Sequence, residues 1–200
     1  MNKPHGIIVF GANGSGKTTL GCELAHLLNF KHMDHEDYHF KKSEIPYTAV
    51  RPYEECLSLM FADIEKYRSF ILTAVTGDFG DTIPKFYNLA VFISAPIEIR
   101  MERIEQRAYN QHGERIRKGG DMYEQHLKFI DFVASRSLSK IEQWVETLTC
   151  PVIHIDGTID WQTNATTIAK RFYEIECQAR TVISNMDCSR GSRNLLSPPG

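Results

Sequence analysis

The chain has no long hydrophobic run, no paired-cysteine motif, no excess of one charge and no internal repeat, and each absence removes a class of protein. The apolar run near the start, residues 7–10, holds four residues. That is far short of the ~18 needed to span a bilayer and too short for the core of a secretion signal, so a cytoplasmic protein without a membrane partner is expected. Five cysteines, Cys22, Cys56, Cys150, Cys177 and Cys188, are an odd number at irregular spacing with no C-x-x-C pair. Neither a zinc ribbon nor a disulfide framework is suggested. A formal net charge of −2 supplies no global field for nucleic acid, which is therefore not expected as a partner, although a local basic cleft is compatible with it. Nothing in the sequence fixes an oligomeric state.

What remains is a composition suited to a folded core, with 42% hydrophobic and 24% charged residues over 200 positions, about one domain's worth. Residues 6–10 (GIIVF) form a continuous β-branched apolar run, as expected of a strand buried on both faces. Leu20, Leu24, Leu27 and Leu28 then recur at helical spacing over residues 17–28. Further strands are predicted over 30–33, 69–75, 89–94 and 151–155, and helices over 53–67, 97–108, 122–148 (with a break near 135–139) and 161–175. Residues 109–121 have no apolar period and are expected to be a mobile loop, and the stretch from about Cys177 a loosely held tail. Strands alternating with helices imply an α/β fold, a five-stranded parallel sheet with helices on both faces. Ligands in such folds collect beyond the carboxyl ends of the strands.

One such end carries Gly11-Ala-Asn-Gly-Ser-Gly16-Lys17-Thr18, a full match to G-x-x-x-x-G-K-[ST] between a predicted strand and a predicted helix. Glycines let successive backbone N–H groups curl around a polyphosphate, and the following helix aims its free N–H groups and positive dipole end at the same anion. The expected ligand is a nucleoside triphosphate, ATP with Mg²⁺. Gly11, Asn13, Gly14, Ser15, Gly16 and Thr19 would cradle phosphates, Lys17 would reach the outer ones, and the Thr18 hydroxyl would ligate the metal.

No N-K-x-D element of guanine-specific GTPases is present, nor the L-S-G-G-Q of ABC-type ATPases. Over residues 6–176 the chain resembles the small P-loop kinases of metabolites and nucleotides, such as adenylate, shikimate and gluconate kinases. The resemblance implies a kinase-like domain at 1–176 with a small lid at about 109–121, followed by a tail at 177–200. It implies that Asp34 sits near Mg²⁺ or takes the acceptor's hydroxyl proton, and that Glu36 or Asp37 contacts the acceptor. It implies a metal-holding acid after the 69–75 strand, for which Asp78 is the candidate. It also implies that Arg103 and Arg107, four apart before the lid, serve base stacking and phosphate, with Arg115 and Arg117 in the lid and Arg136 beyond it. The residues alone also allow Asp34 in a solvated helix-capping loop, Asp78 on an exposed turn, and the arginines on a solvated face interspersed with Glu98, Glu102 and Glu105. The chain departs from adenylate kinases in lacking Gly-Phe-Pro-Arg, with Gly77-Asp78-Phe79-Gly80 in its place.

His32, His35 and His39 lie among Asp34, Glu36 and Asp37, and His35-Glu36-Asp37-Tyr38-His39 has the H-E-x-x-H spacing, but the stretch joins a strand to a proline-containing loop, and polar lining of a substrate pocket is favoured over a zinc site. Cys22, about a turn beyond Thr18, is expected to pack. Two functional classes follow. One is an ATP-dependent phosphotransferase using Lys17, Asp34, Asp78 and Arg107 on a small-molecule acceptor; the other is a nucleotide-dependent switch or ATPase without an acceptor.

Overall fold

The computed structural model describes residues 3–191. Five strands, β1 (His5–Phe10), β2 (Lys31–Asp34), β3 (Ser69–Ala74), β4 (Tyr87–Ser94) and β5 (Val152–Asp156), form one parallel sheet in the order β2-β3-β1-β4-β5. The helices are α1 (Lys17–Leu28), α2 (His35–His39), α3 (Tyr53–Tyr67), α4 (Ile97–His112), α5 (Tyr123–Ser135), α6 (Ser139–Val145) and α7 (Trp161–Gly191).

The apolar run of β1 is continuous because both faces are covered. Ile7 and Val9 meet Leu20, Leu24, Ala165 and Ile168 of α1 and α7 on one side. Ile8 and Phe10 meet Met60, Ile64 and Trp144 of α3 and α6 on the other. Phe10 stacks on Phe92 at 5.2 Å and receives the Trp144 edge at 4.8 Å, so the sheet centre is held by aromatic contacts as well as area. Central β1 therefore carries its loop into the crevice where the chain direction of successive connections reverses.

Several expectations are corrected. Leu27, grouped by spacing with Leu20, Leu24 and Leu28, is 45% exposed, because it lies at the edge of its helix's apolar stripe. The segment 109–121 is not a featureless loop. Helix α4 continues to His112 and stops at Gly113 with φ 56, a short 3₁₀ turn follows, and Ile116 and Met122 are buried. Isolated apolar anchors in a turn have no period, which is why the pattern missed them. The break at 135–139 separates α5 from α6. Helix α7 runs on through most of the expected tail, whose residues 192–200 lie outside the described ones. Among the described residues no helix is long and apolar enough to cross a membrane.

Candidate active site

The loop from β1 to α1 is shaped by glycines and held from outside. Gly14 has φ 79, and a Cβ there would lie 2.5 Å from the Arg100 backbone oxygen, so only glycine permits this approach of α4. Gly16 caps α1 at φ 103 without a side-chain hydrogen bond, and no acidic residue occupies the first turn. The leading N–H groups of α1 are therefore left for an anion. Ser15 Oγ is buried and, among the described residues, has no hydrogen-bond partner. An orphaned buried hydroxyl in a glycine cradle is what a site awaiting oxygen-rich groups looks like.

Lys17 Nζ donates to Ala12 O at 2.9 Å, folding the side chain back over the loop. Burial brings its ammonium down from the ordinary value of 10.5 to about 8, opposed by Glu36 and Asp34 and reinforced by Arg107 and Arg136. Thr18 Oγ1 donates to Asp34 Oδ2 at 2.8 Å, while Asp34 Oδ1 accepts the Glu36 backbone N–H at 3.1 Å and so caps α2. One side chain thus caps α2 with one oxygen and meets the Thr18 hydroxyl with the other. Glu36 borders the second of the two cavities described below, and burial, aided by Asp34, raises its carboxyl above the usual range against the pull of Arg107 and Lys17.

The arginines of α4 divide their labour. Arg100 is buried and donates to Asn13 O at 3.2 Å. Arg103 donates to Ser15 O at 3.4 Å and Gly157 O at 2.9 Å, tying the loop to the turn after β5. Arg107, one turn on, has no hydrogen-bond partner among the described residues and borders both cavities described below. Arg136, reaching in from beyond α5, donates to Asn13 Oδ1 at 3.4 Å.

Two cavities meet at this loop. The first, about 420 Å³, lies between the loop, Thr19, Arg103 and the turn Gly157, Thr158, Asp160 and Trp161. The second, about 570 Å³, opens on the other side, between α2, the segment around Tyr47, and α5. Lys17, Thr18 and Arg107 border both. The turn containing Trp161 carried no recognisable motif; its place after a parallel strand was the one available signal.

Three expected positions do not reach the site. Asp78 is exposed and borders neither cavity. Gly77 packs under Trp144 and accepts Tyr87 Oη at 3.0 Å, Phe79 turns inward, and the residue between them is thrown outward. Thr76 borders the second cavity instead. Arg115 is committed to Asp121, at 2.6 Å between Nη2 and Oδ2, and Arg117 lies over the Tyr109 ring at 5.0 Å. Neither borders either cavity. His35 and His39 stack at 5.2 Å and line the second cavity, while among the described residues no group of three or more His, Cys, Asp or Glu could hold a metal ion.

A five-stranded parallel sheet with this loop after its central strand defines a P-loop kinase-like fold. Residues 7–126 match the family described as "AAA domain", and the chain belongs to that family. It is 31% identical over 163 residues to "Uncharacterized protein YqaC" of Bacillus subtilis, covering 75% of this chain and 87% of that one. Among solved structures it is similar to a shikimate kinase from Bacteroides thetaiotaomicron, with a TM-score of 0.52, 18% identity, and 86% and 97% of the two chains covered. It is similar also to a shikimate kinase from Acinetobacter baumannii, with a TM-score of 0.50, 16% identity, and 86% and 94% covered. At such identities these two likenesses establish the fold alone.

Proposed function

We propose that the protein is an ATP-dependent phosphotransferase that moves the terminal phosphoryl group to a small hydroxylated acceptor. The observation that carries this reading is the pair of cavities sharing Lys17, Thr18 and Arg107. A nucleotide lying in the first cavity with its phosphates in the loop presents its terminal group to the second, where an acceptor has room. A switch or simple ATPase has no need of that second cavity.

Each residue's task follows from its surroundings. Backbone N–H groups over Gly11, Asn13, Gly14, Ser15 and Gly16, with the start of α1, hold phosphate oxygens. Arg103 and Trp161 border the base side, with Arg103 also bracing the loop. The Thr18–Asp34 oxygen pair suits Mg²⁺, which takes one or two protein oxygens plus phosphates; when bound it neutralises charge on the phosphates. Lys17, Arg107 and Arg136 offset charge around the transferred group. Both Asp34 oxygens being engaged, Glu36 is the carboxylate left to take the acceptor's proton, and its raised basicity suits that task.

The test is ADP release by intact protein with Mg²⁺ and ATP over a panel of hydroxylated metabolites, with product mass confirmed. Turnover raised well above the acceptor-free rate is expected for at least one compound. ATP binding without stimulation across the panel would overturn the kinase reading and leave a nucleotide-dependent switch.

A further inference from the structure

The walls of the second cavity describe its occupant. The inference rests on reading that cavity as the acceptor site. His35 stacks on His39 and faces Phe79 at 4.8 Å with planes 34° apart, giving a stepped aromatic wall behind α2.

The ring contacts continue from His39 to Phe40, edge-on at 4.6 Å, and from Phe40 to Tyr47, edge-on at 5.3 Å. Tyr47 has φ 65, a left-handed conformation that disfavours a bulky side chain. The hairpin that imposes it is well tied: Phe40 bridges Val50, Lys41 N donates to Ala49 O at 2.8 Å, and Gln125 of α5 donates to Pro46 O at 3.2 Å. A strained aromatic that its surroundings hold over a cavity points to a contact with something inside it.

Charge narrows the class further. The lysine and arginine side chains bordering this cavity are Lys17, Arg107 and Arg136. All three lie at the phosphate-loop end, where a triphosphate engages them. The remaining described lining offers two carboxylates, imidazoles, amides and aromatic rings, with no arginine or lysine to receive an acceptor's own carboxylate or phosphate.

We propose that the acceptor is an uncharged alcohol borne on a planar heteroaromatic ring, which stacks against the aromatic wall that runs from Phe79 and His35 to Tyr47. The ring stacks while amides such as Gln111 meet its edge, and the alcohol points toward Glu36. In the transfer, the alcohol oxygen bonds to the terminal phosphorus as the bond from that phosphorus to the bridging oxygen breaks. ADP keeps that electron pair, and the hydroxyl proton passes to Glu36. A free nucleoside and a hydroxymethyl-pyridine or -pyrimidine share this chemistry.

The experiment compares four groups of acceptors in the ADP-release assay: nucleosides, heteroaromatic alcohols, nucleoside monophosphates, and the sugar acids gluconate and shikimate. Stimulation by a member of either of the first two groups is expected, and which group responds identifies the source. Tyr47→Ala, at a position 50% exposed and so outside the core, should raise the acceptor KM about tenfold, as loss of one stacking partner predicts, with the KM for ATP nearly unchanged. An aliphatic check, Phe79→Leu, should shift the same constant in the same direction. Turnover by the monophosphates or sugar acids and not by the uncharged ring alcohols would overturn this inference and leave the kinase standing. An unchanged acceptor KM in both variants would overturn the stacking geometry. No stimulation by any compound, with ATP still bound, would overturn the kinase reading as well.

Discussion

At the residue scale, Lys17 holds its charge in surroundings that resist it. Its proton is lost near pH 8 in the folded protein and near 10.5 in an exposed chain. Between those values the unfolded chain binds the extra proton, so this group makes stability rise with pH across that window. A triphosphate favours the charged form, so its binding at about pH 8.5 should take up a proton, and affinity should weaken as pH climbs past 8. Calorimetry in two buffers of different ionisation heat reads this directly. Proton uptake in the wild type and none in Lys17→Met is expected; equal uptake in both would contradict the assignment.

Two acids separate in the same way. Asp34→Asn keeps the cap on α2 but weakens the oxygen pair with Thr18, and should raise the Mg²⁺ concentration for half-maximal turnover about tenfold or more. Asp78→Asn, on an exposed turn away from both cavities, should change it less than twofold, by roughly the scatter of a surface substitution. The sequence motif alone located Lys17 and Thr18. It could not rank Asp34 above Asp78, since that depends on which way a turn throws its side chain, and the turn is set by Gly77 packing under Trp144.

At the element scale, α4 is the brace of the phosphate loop. Its Arg100 and Arg103 hold the carbonyls of Asn13 and Ser15, and its backbone lies where a Gly14 side chain would go. Gly14→Ala meets both a left-handed backbone and the Arg100 carbonyl, so it should displace the loop from α4 and weaken ATP binding by about tenfold or more. A fluorescence titration that finds wild-type affinity in this variant would show the brace to be immaterial. Spacing along α4 marked Arg103 and Arg107 as a pair, but their separate tasks depend on what lies one turn apart in space, a carbonyl pair for one and open cavity for the other. The bounds of α1 and α3 were legible because each begins beside a glycine or proline and keeps an apolar period throughout. The ends of α4 and α7 were not, because both continue on polar residues with no such period.

At the scale of the whole molecule, the fold was legible from apolar runs such as residues 6–10, 69–75 and 89–94 with helical stretches between them, since a parallel sheet covered on both faces is the arrangement that buries such runs. The second cavity was not legible. Its walls come from α2, the hairpin at 40–50, α4 and α5, far apart in the chain and joined only by folding. The core and the site should respond separately. Ile168→Ala, fully buried between α7 and the sheet, should cost roughly 2–5 kcal/mol in denaturant unfolding while leaving ATP affinity at 25 °C within about twofold. A large affinity loss in that variant would mean that α7 tunes the site rather than only supporting it.

The central claim is that the loop between β1 and α1 seats a triphosphate whose terminal group faces the second cavity. An equilibrium titration of the intact protein with Mg²⁺ and a non-hydrolysable ATP analogue, paired with Lys17→Met, tests it most directly. Saturable binding at one site per chain, lost or weakened at least tenfold in the variant, is the result expected. No saturable binding to the wild type, or equal binding to both proteins, would contradict the account.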